Sequence, residues 1–93
     1  MSSIQRAYAQ LRQTFASAAE ERSARPGIDP EAGEFAWVLF ERAQMHAGVN
    51  AIRARNGLPE LTMEEVAAVE STAMGHIDYA EKYAFRCAEL ACP

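Results

Sequence analysis

Apolar residues recur at helical spacing along three stretches of the chain, separated by two polar breaks. In the first stretch Ile4, Tyr8, Leu11, Phe15 and Ala18 or Ala19 share one narrow stripe, with Arg6, Arg12 and Gln13 off it. Ser2 and Gln5 have the spacing of a capping box at its start, so a helix is predicted over about 4–22. The period then fails across Ser23-Ala24-Arg25-Pro26-Gly27-Ile28, whose Pro-Gly pair predicts a turn.

The second stretch opens on Asp29-Pro30-Glu31, a cap, a tolerated first-turn proline and an acid at the positive end of the helix dipole. Its main stripe is Phe35, Val38, Leu39, Met45, Val49 and Ile52, and a second face carries Trp37, Phe40, Ala47, Gly48 and Ala51. A helix apolar on two faces is packed from two sides. Asn56-Gly57 and then Pro59 stop it, giving a helix over about 30–55.

The third stretch begins with a capping box at Thr62 and Glu65, and Leu61 is placed to staple onto Val66. Val66, Val69, Ala73, Ile77, Ala80, Ala84, Cys87 and Ala91 then hold one period almost to the end, with Tyr79, Tyr83 and Leu90 widening the stripe. This predicts one continuous helix over about 62–91, and Gly75 is the one place where it can kink or break. The short connection at 57–61 makes the second and third helices an antiparallel hairpin. The expected fold is therefore all-α: a three-helix bundle dominated by a hairpin of 30–55 and 62–91, with the shorter helix 4–22 across it. In that register His76 comes level with Glu41 and Arg42, and His46 level with Ser71.

Composition narrows the picture. Ninety-three residues make one domain, 1–93, and a chain this short buries only about 60–65% of its unfolded surface. Much of the 49% apolar content is alanine, which favours helix but fills little core, so close helix packing or a completing partner is expected. Cys87 and Cys92 lie five residues apart on different faces of one helix, which rules out an unstrained bridge between them. With no signal-like segment and no bilayer-length apolar run, the chain reads as cytoplasmic with reduced thiols and without a membrane partner.

The net charge of −4 and pI near 5.1 argue against nucleic-acid binding. The charge is uneven: residues 1–25 carry four Arg against two Glu, while 61–93 carry six acids against Lys82 and Arg86. The acidic C-terminal helix is thus suited either to the basic N-terminal one or to a basic partner.

Candidate chemistry is sparse. His46 and His76, with Glu41, Glu70 or Asp78, are the only candidate metal ligands, and they lack the paired Glu-x-x-His pattern of bundle metal sites. Cys87-x4-Cys92 has no zinc-ligand spacing. No nucleophile sits beside a histidine with an oxyanion turn, and no phosphate-binding glycine loop is present, so an enzyme is not expected and no cofactor is implied. Arg42, Arg53 and Arg55 gather positive charge toward the hairpin tip and offer an anion or nucleotide site, alternatively to be read as cations at a helix C-terminus.

Aromatic residues outnumber what so small a bundle easily buries. Trp37, Phe40, Tyr79, Tyr83 and Phe85 spread round the second and third helices, and aromatics are favoured anchors of protein interfaces. They point to a protein partner or to a homodimer or higher homo-oligomer. The segment Gly75-His76-Ile77-Asp78-Tyr79, with Lys82-Tyr83-Ala84 and Ala88-Glu89-Leu90, resembles a C-terminal pattern of small uncharacterised phage and prophage proteins. The resemblance implies a small acidic protein that binds and blocks a host factor, such as a component of bacterial immunity. The expected function is a non-enzymatic interaction protein, an inhibitor or adaptor; the alternative is a bundle that sequesters a small anion, nucleotide or metal.

Overall fold

The computed structural model describes residues 2–24 and 30–93, with side chains at 2–21, 24 and 38–93. Four helices run through them: α1 (Ser3–Ser23), α2 (Pro30–Arg55), α3 (Met63–Ser71) and α4 (Tyr79–Ala91). The expected turn around Pro26-Gly27 and the Asp29 cap lie outside the described residues.

Local chemistry sets the ends. The Ser2–Gln5 box forms in both directions, the Ser2 N–H donating to Gln5 Oε1 at 2.8 Å and the Gln5 N–H to Ser2 Oγ at 3.1 Å. Thr62 and Glu65 reciprocate at 3.1 and 3.2 Å to start α3. α2 ends in a Schellman motif. Gly57 takes φ +72°, the Leu58 N–H donates to the Arg53 carbonyl at 2.8 Å, and the Gly57 N–H to that of Ala54 at 3.1 Å. Glycine enters that left-handed position at the least cost.

The third predicted helix is two helices, which corrects the three-helix expectation. Residues 72–78 form a connector in which Gly75 has φ +81°, and the chain reverses there. The reversal has local support. Ser71 Oγ and Thr72 Oγ1 donate to the carbonyls of Ala68 and Val69 at 2.7 and 2.6 Å, and the N–H groups of Ala73, His76 and Tyr79 each donate to the carbonyl three residues back. The single α3–α4 rod of the sequence pattern becomes a tight pair.

Each helix therefore runs antiparallel to the next. Leu11 packs against Gly48 and Gln10 bonds Arg55, setting α1 against α2; Arg42 meets Glu70 between α2 and α3. On α4, Tyr79 returns to Glu70, Leu90 reaches Arg53, and Phe85 and Tyr79 face Tyr8 and Phe15 of α1. The core lies among all four, with Leu11, Met45, Val49, Val66, Tyr83 and Cys87 fully enclosed. Ala73, Ala84, Ala88 and Ala91 fill the narrow spaces between them. α2 and α4 each touch the other three helices.

Gly48 marks a close approach of α1 and α2. A Cβ there would stand 2.9 Å from Leu11 Cδ2. Gly48→Ala is expected to be near neutral, because a gain of about 1 kcal/mol in helix propensity offsets the displacement of a side-chain tip. Gly48→Val is expected to cost about 2 kcal/mol by overpacking, read from urea unfolding. A Val variant as stable as the parent would show that the helices separate freely here.

Candidate functional site

The connector and the outer face of α4 carry the features that the core does not use. At the connector's base, Glu70 closes α3 and is only 4% exposed. A buried carboxylate must be paired, and two groups converge on it. Arg42 Nε of α2 donates to Oε2 at 2.7 Å and Nη2 reaches Oε1 at 3.5 Å, while the Tyr79 hydroxyl donates to Oε1 at 3.0 Å. The clasp ties the last turn of α3, the first of α4 and the middle of α2 into one junction beneath the connector.

The aromatic rings above the clasp are ordered by the same packing. Tyr79 and Tyr83 stack at 5.8 Å, and Phe15 meets both edge-on at 6.0 and 6.2 Å. Hydrogen bonding to Glu70 and its negative charge raise the affinity of the Arg42 guanidinium for its proton. Burial, then the bond to Glu70, pushes the Tyr79 hydroxyl well above the ordinary tyrosine range. Tyr83 is pushed higher still, mainly by burial, and its enclosed hydroxyl has no protein partner. Burial also raises the Cys87 thiol, one turn further along α4, to about 12.

Outward from the clasp the surface turns apolar. Met74 and Ile77 stand out of the connector at 59% and 107% exposure, and the Lys82 ammonium donates to His76 Nδ1 at 3.3 Å beside them. Along α4, Phe85 is 46% exposed and meets Tyr8 edge-on at 6.2 Å. These two rings, with Glu81, Lys82 and Arg86, line an open cleft of about 310 Å³. Arg86 pairs with Glu89 at 2.9 Å on its rim.

The structure distributes the sequence-derived candidates differently from the pattern. Of the five aromatics, Phe85 is on this face, Tyr79 is half-buried in the clasp, and Tyr83 is a core residue with no surface to offer. Phe40 is half-buried beside a separate groove between α1 and α2, lined by Gln10, Gln13, Thr14 and Gln44. The side chain of Trp37 lies outside the described residues. Met74 and Ile77 join Phe85 among the exposed apolar residues, as do Leu39 on α2 and Met63 on α3, while Tyr8 is half-buried; only the turn at Gly75 could have indicated the first two.

The three arginines do not converge. Arg42 is committed to Glu70, and Arg53 and Arg55 lie three turns further along α2. Arg53 holds the carbonyls of Pro59 and Leu90 at 2.7 and 2.6 Å, closing the hairpin loop onto the end of α4. Arg55 bonds Gln10 at 2.7 Å and borders a cleft of about 260 Å³ with Arg6, Asn56 and Cys92.

The histidines also take separate partners, and the expected hairpin register shifts. His46 Nε2 meets the Leu61 carbonyl at 2.7 Å rather than Ser71, and His76 sits on the connector rather than level with Arg42. Asn50 completes the His46 arrangement by pairing with both the N–H and the carbonyl of Leu61, at 2.9 and 3.1 Å. Among the described residues no three His, Cys, Asp or Glu side chains gather as a metal site, and no helix is long and apolar enough to cross a membrane. Both cysteines are free and buried. Comparison with family models, curated proteins and solved structures gives no match.

Proposed function

We propose that this chain is a non-enzymatic protein-interaction domain that docks a partner on the outer face of α4. The observation that carries the reading is Phe85, half exposed beside Tyr8 in an open cleft with Glu81, Lys82 and Arg86 around it. An aromatic anchor inside a charged rim is the arrangement that protein interfaces use for affinity and orientation. The likeness of segment 75–90 to small phage proteins supports a concrete form, an inhibitor or adaptor that blocks a host factor. The acids Asp78, Glu81 and Glu89 favour a partner with a basic contact surface.

The test is affinity capture from cell lysate with the parent protein, followed by binding measurements on the recovered partner. Phe85→Ser is expected to weaken binding by roughly 30-fold or more, the scale of a buried aromatic anchor, while leaving the circular dichroism spectrum unchanged. A partner held equally well by the parent and by Phe85→Ser would remove this face from consideration.

A further inference from the structure

The helical stripe of the third apolar stretch survives intact across a connector that is not helical. Val66, Ala73, Ala84, Cys87 and Ala91 on that stripe are buried, and Ile77, its central member, is fully exposed. A large apolar side chain on an otherwise buried stripe is in the wrong place for the turned chain. It is in the right place for a straight one. The connector already holds part of its backbone in tight turns: the N–H groups of Thr72, Ala73, His76 and Tyr79 each donate to the carbonyl three residues back, and the hydroxyls of Ser71 and Thr72 bond backward as they do within helices. Gly75, at φ +81° with nothing near its missing Cβ, is the one left-handed residue among those described between α3 and α4.

We propose that residues 72–78 are a hinge about which α4 exchanges with the α4 of a second copy of this chain. In the exchanged dimer α3, connector and α4 form one helix over 63–91, and each α4 occupies the partner copy's groove among α1, α2 and α3. The occupant is fixed by identity: a second copy carries the same Tyr79, Tyr83 and Cys87 that the groove already fits. The Tyr79–Tyr83 stack travels with α4, and its edge contacts with Phe15 and the bond to Glu70 re-form between copies, so the closed contacts are kept. α3 alone is nine residues, too short to be stable on its own, and joining it to α4 extends it cooperatively. Ile77 then lies along the stripe where the two long helices emerge beside each other.

Gly75→Ala is the direct probe. It disfavours the left-handed turn and favours helix, each by about fivefold, so the equilibrium shifts about 30-fold per chain and roughly 10³-fold per dimer. Light scattering across about 10 µM to about 1 mM should show a mainly monomeric parent and a mainly dimeric Gly75→Ala. Gly75→Asn, which tolerates the turn, should stay with the parent.

Exchange is separated from simple face-to-face pairing by spin labels on Glu64→Cys and Glu89→Cys, diluted with unlabelled protein. The labels sit at the same end of the closed bundle but about 37 Å apart along a continuous helix. The Gly75→Ala dimer should show the long separation, and the parent should show a minor long component that grows with concentration. A monomeric Gly75→Ala, a dimer that keeps the short separation, or a parent without the long component at about 1 mM would each overturn the exchange. The Phe85→Ser substitution is not expected to alter any of these readings, which keeps this test apart from that of partner docking.

Discussion

Replacing Glu70 with Ala is expected to lower stability by about 3 kcal/mol, a large fraction of the total for a chain of 93 residues. Three losses add. The Tyr79 hydroxyl forfeits its acceptor, worth about 1 kcal/mol, and the buried methylenes of Glu70 leave a void worth about another. The third is the charge-assisted bond to Arg42. A fully buried pair broken on one side costs about 3–5 kcal/mol, but the Arg42 side chain is 37% exposed and its freed charge reaches water, so about 1 kcal/mol is appropriate. Glu70→Gln should fall between, near 1.5 kcal/mol, because Arg42 Nε and the Tyr79 hydroxyl donate to different carboxylate oxygens and the amide replaces one of those acceptors with a donor. Thermal unfolding should register the alanine variant as a drop of about 12–20 °C. A loss under about 1 kcal/mol would mean that the clasp does not hold the α3–α4 junction, and Arg42→Ala would then be silent as well.

That clasp was not readable from the sequence, whereas much around it was. Capping boxes, the Gly57 stop and the antiparallel turn at 57–61 are local devices, decided by residues within one or two turns of each other. Ser2 with Gln5, Thr62 with Glu65, and Gly57 in the left-handed position at the end of α2 all do what their spacing predicts. Glu70 is different, since off the stripe of the third stretch it offers itself only as a metal-ligand candidate with His46 and His76, not as a buried partner of Arg42 and Tyr79. Its burial follows only once α4 folds back and brings Tyr79 over it. The break itself is invisible to periodicity because the apolar pattern continues through Ile77, and a single glycine in a helical pattern is a weak signal.

Drawing one helix through Gly75 also misplaces the aromatics. Drawn on a straight helix, Tyr83 appears surplus to a three-helix core. Returned through the connector, α4 packs against all three other helices and Tyr83 becomes the largest fully enclosed side chain among the described residues. Phe85, two residues on, is turned outward by the same rotation. Which arginine meets which partner depended likewise on the register. Arg42 to Glu70 sits several residues from the expected pairing with His76, a shift set by where α3 stops.

Alkaline pH is expected to unfold the protein, starting near pH 9 and steepening above 10. In the folded state burial raises the Cys87 thiol to about 12, against an unfolded value of 9.0. Below pH 9 both states hold this proton, and the stabilisation it reflects is fully present. Above pH 9 the unfolded chain ionises while the folded chain does not, so stability falls by about 1.4 kcal/mol per pH unit until the folded thiol also titrates. Tyr79 and Tyr83, whose ordinary value is 10.0, are both raised by burial and add their own losses from pH 10 upward. Tyr79 resists ionisation further because its hydroxyl donates to a carboxylate, which would face a phenolate at 3.0 Å. Urea unfolding at half-unit steps from pH 8 to pH 11 reads the profile. Cys87→Ala should lose a constant amount at every pH but abolish the slope between 9 and 10, leaving the tyrosine limb in place. Tyr83→Phe should remove part of that limb and, because the enclosed hydroxyl has no partner, stabilise the protein at neutral pH by about 1 kcal/mol. A profile flat to pH 10 in the parent would show that Cys87 meets water in the folded state. Destabilisation by Tyr83→Phe at neutral pH would show that its hydroxyl is satisfied, with an internal water as the natural acceptor.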